Sequence, residues 1–153
     1  MGSPTLTLED ALRDVTRLGM DTAAIIYFVE ANPTRVDQCR AVFREVLNGR
    51  IIAFTSLLTL TETLVHPLRN ADRVLEEEYR VLLLETDGII SLSVDAPTAH
   101  RAADLRARYG LRTPDAIQLA TAIGAGCEAF LTNDGGLRRV KEFRVIVLDD
   151  LTL

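Results

Sequence analysis

Four acidic side chains, Asp21, Glu62, Asp115 and Asp134, stand where regular structure begins or ends along this 153-residue chain. Asp21 closes the short extended run Leu18-Gly19-Met20, and Asp134 follows a second apolar run, 128–132, with only Asn133 between. Asp115 belongs to Thr113-Pro114-Asp115, a helix start in which Thr113 caps, Pro114 takes the first helical position and the dipole favours an ionised carboxylate. Glu62 lies two turns into a helix capped by Thr55 or Ser56. Taken singly, these are ordinary places for an acid: a cap, a first turn, a loop, a solvated helix face. Glu62, however, shares a helical stripe with Leu58 and Val65, and Asp115 shares one with Leu119 and Ala122, so both are expected to face inward. A buried acid needs a cationic partner or a metal. No Lys or Arg lies within one helical turn of Glu62, and the nearest to Asp115 is Arg112, so pairing within the helix is poorly supplied. Three or four oxygen donors with little else nearby suit a hard divalent cation, Mg²⁺ or Mn²⁺.

The elements that must position these acids alternate. An N-terminal extension, 1–17, carries a short amphipathic helix capped by Thr7, with Leu8, Leu12 and Val15 on one face. A strand ends at Asp21, and a helix over 22–32, apolar on nearly every side, stops at Pro33. A second helix carries Val36, Cys39, Phe43, Val46 and Leu47 and ends at Gly49. The strand 51–54 leads into the Glu62 helix, which runs toward His66-Pro67, and another helix spans 72–86 with Val74, Leu75, Tyr79, Leu82 and Leu83 as a stripe. The strand 89–94 follows, then a helix from Asp95 to Gly110, then the Asp115 helix to Gly124–Gly126. The strands 128–132 and 143–148, with a short helix between, complete the pattern. Strands alternating with helices predict an α/β three-layer sandwich around a mostly parallel sheet of about five strands, in one domain over 1–153. Such sheets bind ligands at the carboxyl ends of their strands. A helix leading into one of these strands starts at that same edge, which puts Asp115 beside Asp21 and Asp134.

Composition excludes most other chemistries. The two cysteines, Cys39 and Cys127, form no CxxC pair, and two histidines cannot supply a His-rich metal site. No GxSxG turn or glycine-rich phosphate loop occurs. The charged fraction is 25% and the net charge −5, yet residues 101–144 hold eight basic and five acidic side chains. Arg108 and Arg112 precede one of the acids and Arg138 and Arg139 follow another, so both pairs are candidates for phosphate contacts, with solvated helix faces as the plain alternative. No apolar run reaches the ~20 residues of a membrane span, and MGSPTLTLED lacks the pattern of a secretory signal, so the expected location is the cytoplasm.

The segments Leu18-Gly-Met-Asp21-Thr22, Ser56-Leu-Leu-Thr59-Leu-Thr-Glu62, Thr113-Pro-Asp115-Ala-Ile-Gln-Leu-Ala120 and Phe130-Leu-Thr132-Asn-Asp134 resemble, in order and spacing, the four acidic motifs of PIN domains. The likeness is greatest to VapC-type toxins. It departs at Ala23, where toxin-type sequences often carry Asn, and at Gly135 and Gly136, where they often carry a further acid. The resemblance implies a hydrolase, a Mg²⁺- or Mn²⁺-dependent endoribonuclease with Asp21, Glu62, Asp115 and Asp134 as catalytic, metal-holding acids and Ser56 and Thr132 as supporting hydroxyls. It also implies an RNA substrate, whose backbone the clustered basic residues Arg108, Arg112, Arg138 and Arg139 are expected to hold, a small antitoxin protein that silences the enzyme, and a homodimer. A catalytically silent PIN-fold module that binds RNA or protein is the alternative. A phospho-acceptor receiver domain fits less well, because it needs paired acids after the first strand and a Lys near the end of the last, whereas Lys141, the single Lys, precedes the final strand.

Overall fold

The computed structural model describes residues 6–153. In chain order they form β1 (Leu6–Thr7), α1 (Leu8–Leu12), β2 (Arg17–Met20), α2 (Thr22–Val29), α3 (Val36–Leu47), β3 (Ile52–Ser56) and α4 (Leu57–Arg69). There follow α5 (Arg73–Glu85), β4 (Ile89–Leu92), α6 (Ala96–Tyr109), α7 (Thr113–Gly124), β5 (Ala129–Thr132), a 3₁₀ turn (Gly135–Arg139), β6 (Arg144–Val147) and, after a second 3₁₀ turn, β7 (Leu151–Thr152). Strands β2 to β6 make one parallel sheet in the order β4-β3-β2-β5-β6. Leu18 of β2 pairs with Ala53 of β3 on one side and Ala129 of β5 on the other, so the chain reverses its direction of travel across the sheet at β2. That reversal opens a crevice at the carboxyl ends of β2 and β5.

Both faces of the sheet are covered, and each has its own apolar cluster. One gathers Leu12, Leu18, Ile25, Phe43, Tyr79 and Leu131, from α1, α2, α3, α5 and the strands. The other gathers Leu105, Leu119, Ala120, Ala122 and Phe130, where α6 and α7 lie on the sheet. Burial on both faces explains why β5 reads Ala-Phe-Leu-Thr with no alternation. Cys39 and Cys127 are buried, and burial raises both thiols, to about 11 and about 12, as befits inert core residues.

Several boundaries differ from those expected, each for a local reason. Helix α2 ends at Val29 because Ala31 takes a left-handed φ of 50° and the Asn32 side chain accepts the N–H groups of Thr34 and Arg35, turning the chain into α3. Helix α4 continues past Pro67 to Arg69; the proline lies in the last turn, where its ring is buried. The cap of α7 is Arg112 and not Thr113, which moves Asp115 one position deeper into the first turn. The N-terminal helix is only five residues long, and the parallel β1–β7 pair beside it, Leu6 with Leu151 and Thr7 with Thr152, was not expected. The remainder of the expected 1–17 extension, residues 1–5, lies outside the described residues. No helix among the described residues is long and apolar enough to cross a membrane.

Gly19 lets α7 approach β2 closely. A Cβ there would stand 2.6 Å from the Ala122 methyl and 2.8 Å from the Phe130 ring. Neither neighbour has room to retreat, since both are buried on the second face. Gly19→Ala is therefore expected to destabilise the fold by about 1–3 kcal/mol through overpacking. Urea unfolding monitored by circular dichroism measures it.

Candidate active site

Asp21, Glu62, Asp115 and Asp134 come from four different elements and line one pocket of about 410 Å³ together with Thr22, Arg112, Gln118 and Asn133. Two of them are fastened by a single hydroxyl. Thr132, the fully buried last residue of β5, donates its hydroxyl to the Asp21 carboxylate and accepts the Asp134 N–H at 3.0 Å. Asp21 also accepts the Ala24 N–H at 3.3 Å, so the same carboxylate caps α2 and faces the pocket. Asp134 accepts the Gly136 N–H at 2.9 Å and begins the 3₁₀ turn.

Glu62 is exposed at the pocket rim, against the expectation that it faces inward. The buried stripe of α4 is Thr59, Thr63 and Pro67, while Val65 is 45% exposed. Two threonines and a proline gave no apolar signal in the sequence, and Leu58 and Val65 gave a misleading one. Glu62 nonetheless reaches the pocket, where the Thr22 hydroxyl donates to it at 3.1 Å.

Behind the pocket lies a buried polar network that the motifs did not reveal. The Gln118 amide donates to the Thr59 hydroxyl at 2.6 Å, and its carbonyl accepts the Ser56 N–H at 3.2 Å and the Thr55 hydroxyl at 3.3 Å. Thr22 and Thr59 share a hydrogen bond of 3.0 Å, which links Gln118 to the residue that holds Glu62. No buried side-chain nitrogen or oxygen among the described residues lacks a partner. The available signal was one amide on the inward stripe of an apolar helix, three residues after Asp115. Ser56 itself is fully buried; its hydroxyl accepts the Leu58 N–H and caps α4 without lining the pocket.

The candidate basic residues are all engaged. Arg112 forms a two-point ion pair with Asp115, at 3.0 and 3.4 Å, supplying the pairing that the sequence seemed to lack. Arg108 pairs with Asp104 and Glu142, and Arg138 with Asp150. Arg139 donates to the carbonyls of Tyr109 and Gly136. Of the four, Arg112 alone lines the acidic pocket.

Electrostatics at the floor of the pocket are unfavourable to charge. Burial pushes the Asp21 carboxyl up to about 6, against the opposing hydrogen bonds from Thr132 and Ala24, and the nearby Asp115 raises it further. Among the described residues no three acidic, His or Cys side chains are drawn together as a ready metal cage; Asp115 is turned to Arg112 and Asp21 to Thr132. The donor set is all oxygen, and its most buried member lacks a cation of its own. Both features fit Mg²⁺ or Mn²⁺, with Asp21, Asp115 and Asp134 as holders and Glu62 within reach directly or through water.

The raised Asp21 pKa fixes a pH dependence. Because the folded state retains the proton to a higher pH than the unfolded chain, stability without metal falls as pH rises from about 4 through about 6. Asp21→Asn keeps a capping oxygen and removes the charge. In EDTA at pH 7.5 it should be more stable than the wild type by up to about 3 kcal/mol, and by much less at pH 4. Thermal melts at the two pH values check both the gain and its disappearance.

No curated protein matches the chain by sequence. Among solved structures, a toxin–antitoxin complex from Klebsiella pneumoniae superposes with a TM-score of 0.67 at 23% identity, covering 87% of this chain and 98% of that one. VapBC2 from Rickettsia felis, bound to a promoter DNA fragment, superposes with a TM-score of 0.67 at 12% identity, over 86% of this chain and 98% of that one. Mycobacterium tuberculosis VapC20, a toxin that cleaves the sarcin–ricin loop, gives a TM-score of 0.65 at 18% identity, over 84% of this chain and 99% of that one. At these identities the likeness establishes the fold. A family model described as the PIN domain matches residues 20–143, which include Asp21, the Glu62 helix, the α7 start and the Asp134 turn, and the chain belongs to the PIN domain family.

Proposed function

We propose that the protein is a Mg²⁺- or Mn²⁺-dependent endoribonuclease, the toxin of a type II toxin–antitoxin pair. The observation that carries this reading is the meeting of four carboxylates from four separate elements in one pocket at the sheet's carboxyl edge. Asp21, Asp115 and Asp134 hold the cation, with Glu62 completing the set. When bound, the metal supplies a Lewis acid and neutralises charge on the scissile phosphate of RNA. The protein's own share is positional. Thr132 fixes Asp21 and the backbone of Asp134 in one orientation, and Thr22 does the same for Glu62. As the PIN family membership implies, water is the attacking group, with a 5′-phosphate and a 3′-hydroxyl as products, and no protein nucleophile is needed.

A silent module remains the second reading, favoured by the Arg112–Asp115 pair and by Gly135 and Gly136 in place of a further acid. Asp115→Asn separates the two. The ribonuclease reading expects calorimetric Mn²⁺ binding by the wild type, its loss in the variant, and a fall in RNA cleavage of about a hundredfold or more, with the fold intact by circular dichroism. Equal Mn²⁺ binding, or cleavage by neither protein, sinks the assignment.

Partners follow from a second surface, at the C-terminal end of α2. The end of α2 and the outer face of α5 enclose an apolar groove of about 760 Å³, lined by Phe28, Val29, Val74, Val81 and Leu82 and edged by Arg73, Glu77 and Glu78. Tyr79, expected on this stripe, is fully buried with its hydroxyl donating to Glu30, and Leu83 is buried too; they belong to the core. Val74, 72% exposed, and Val81 do not. This surface offers a place for a second copy of the chain or for an antitoxin helix, and the Klebsiella and Rickettsia relatives were solved with their antitoxins. We place the homodimer here. Light scattering should find a dimer for the wild type and a monomer of unchanged melting temperature for Val74→Glu combined with Val81→Glu. A monomeric wild type removes the groove as a self-interface.

A further inference from the structure

Arg112 is the one cationic side chain among the described residues that line the acidic pocket, and it faces four carboxylates there. Its guanidinium grips both oxygens of Asp115, in the fork geometry that also suits a phosphate. Yet little holds it in place. The Arg112 side chain is 78% exposed while that of Asp115 is 21% exposed, and the Arg112 side chain makes no capping hydrogen bond to α7. The charges of Asp134 and Glu62 act on it as well, more weakly than Asp115.

We infer that Arg112 is an exchangeable cation of the pocket, which neutralises Asp115 until a divalent ion takes that carboxylate and which then turns to a phosphate of the bound strand. The inference rests on the ribonuclease reading, since it needs both a metal and a phosphodiester ligand. Physically it follows from competition. Asp115 cannot give the same oxygens fully to Arg112 and to a metal, and an exposed ion pair is weak enough to yield. The freed guanidinium stays tethered at the head of α7, beside the site where the metal draws in a phosphate. Electrostatic self-repulsion of the acids is thereby limited without metal, and a cation is delivered to the substrate only when the site is loaded.

The test is a pair of affinities that should move in opposite directions in Arg112→Gln, a change at an exposed residue that should leave the fold intact by circular dichroism. Calorimetry with Mn²⁺ alone should show about fivefold tighter binding than in the wild type, the upper end for removing an exposed competing ion pair. Anisotropy with a phosphorothioate-linked oligoribonucleotide in saturating Mn²⁺, a linkage that slows cleavage, should show binding at least about fivefold weaker. Arg112→Lys, which keeps the charge and loses the fork, should fall between on both. A residue of purely structural importance would weaken both affinities together. Equal or weaker Mn²⁺ binding by Arg112→Gln, with normal binding by the wild type, overturns the exchange and leaves the metal site standing. Unchanged oligonucleotide affinity overturns it as well. A wild type that binds no Mn²⁺ overturns the exchange and the ribonuclease reading together.

Discussion

Like charges gathered at one end of a parallel sheet repel one another, and the structure around the pocket is arranged to hold them there. Asp21 bears a further cost, because burial disfavours its ionisation and the charge of Asp115 adds to that more weakly. Three devices oppose the repulsion: the Thr132 hydroxyl and the Ala24 N–H on Asp21, the Thr22 hydroxyl on Glu62, and the Arg112 fork on Asp115. Each is a dipole or a cation: Thr132 and Thr22 come from neighbouring elements, whereas Ala24 and Arg112 belong to the same helix start as the acid they meet. None neutralises the whole set, so the pocket keeps an excess of negative charge that a divalent cation would relieve.

The same groups do structural work. Asp21 and Ser56 cap α2 and α4, and Asp134 opens the 3₁₀ turn, so the strand ends that carry the acids are also the points where helices begin. This double use is economical in a sheet of four- and five-residue strands, where the carboxyl edge is the only place that several elements start together. Gln118 ties the arrangement down from beneath. By bonding to Thr55, Ser56 and Thr59 it locks α7, and with it Asp115, to the β3–α4 corner from which Glu62 projects. A fully satisfied buried network of this kind fixes geometry more than it adds stability.

The acidic pocket and the apolar groove are chemically distinct. The pocket is polar and negative; the groove on α5 is built from Phe28, Val74, Val81 and Leu82. Helix α2 connects them, with Asp21 at its start and Phe28 and Val29 at its end. Anything seated in the groove therefore bears on the element that a candidate metal ligand caps.

Order and type of the main-sheet strands and of most helices were legible in the sequence, because apolar runs of four or five residues, helical stripes, and Pro, Gly, Asp and Ser punctuation are local properties. So was the placement of Asp21, Asp115 and Asp134, since strand ends and helix starts define one edge once the sheet is parallel. The β1–β7 pair was not legible, because two-residue strands carry no periodicity and their partner lies at the far end of the chain. The burial of Thr59, Thr63 and Gln118 was hidden for a different reason: a polar residue becomes a core residue only when a partner from another element satisfies it. Likewise the sequence put Arg112 near Asp115 but left its role open, and only the tertiary structure turned it over the pocket. Local pattern determined which residues could do chemistry; the choice of which ones face each other was made by packing between elements distant in sequence.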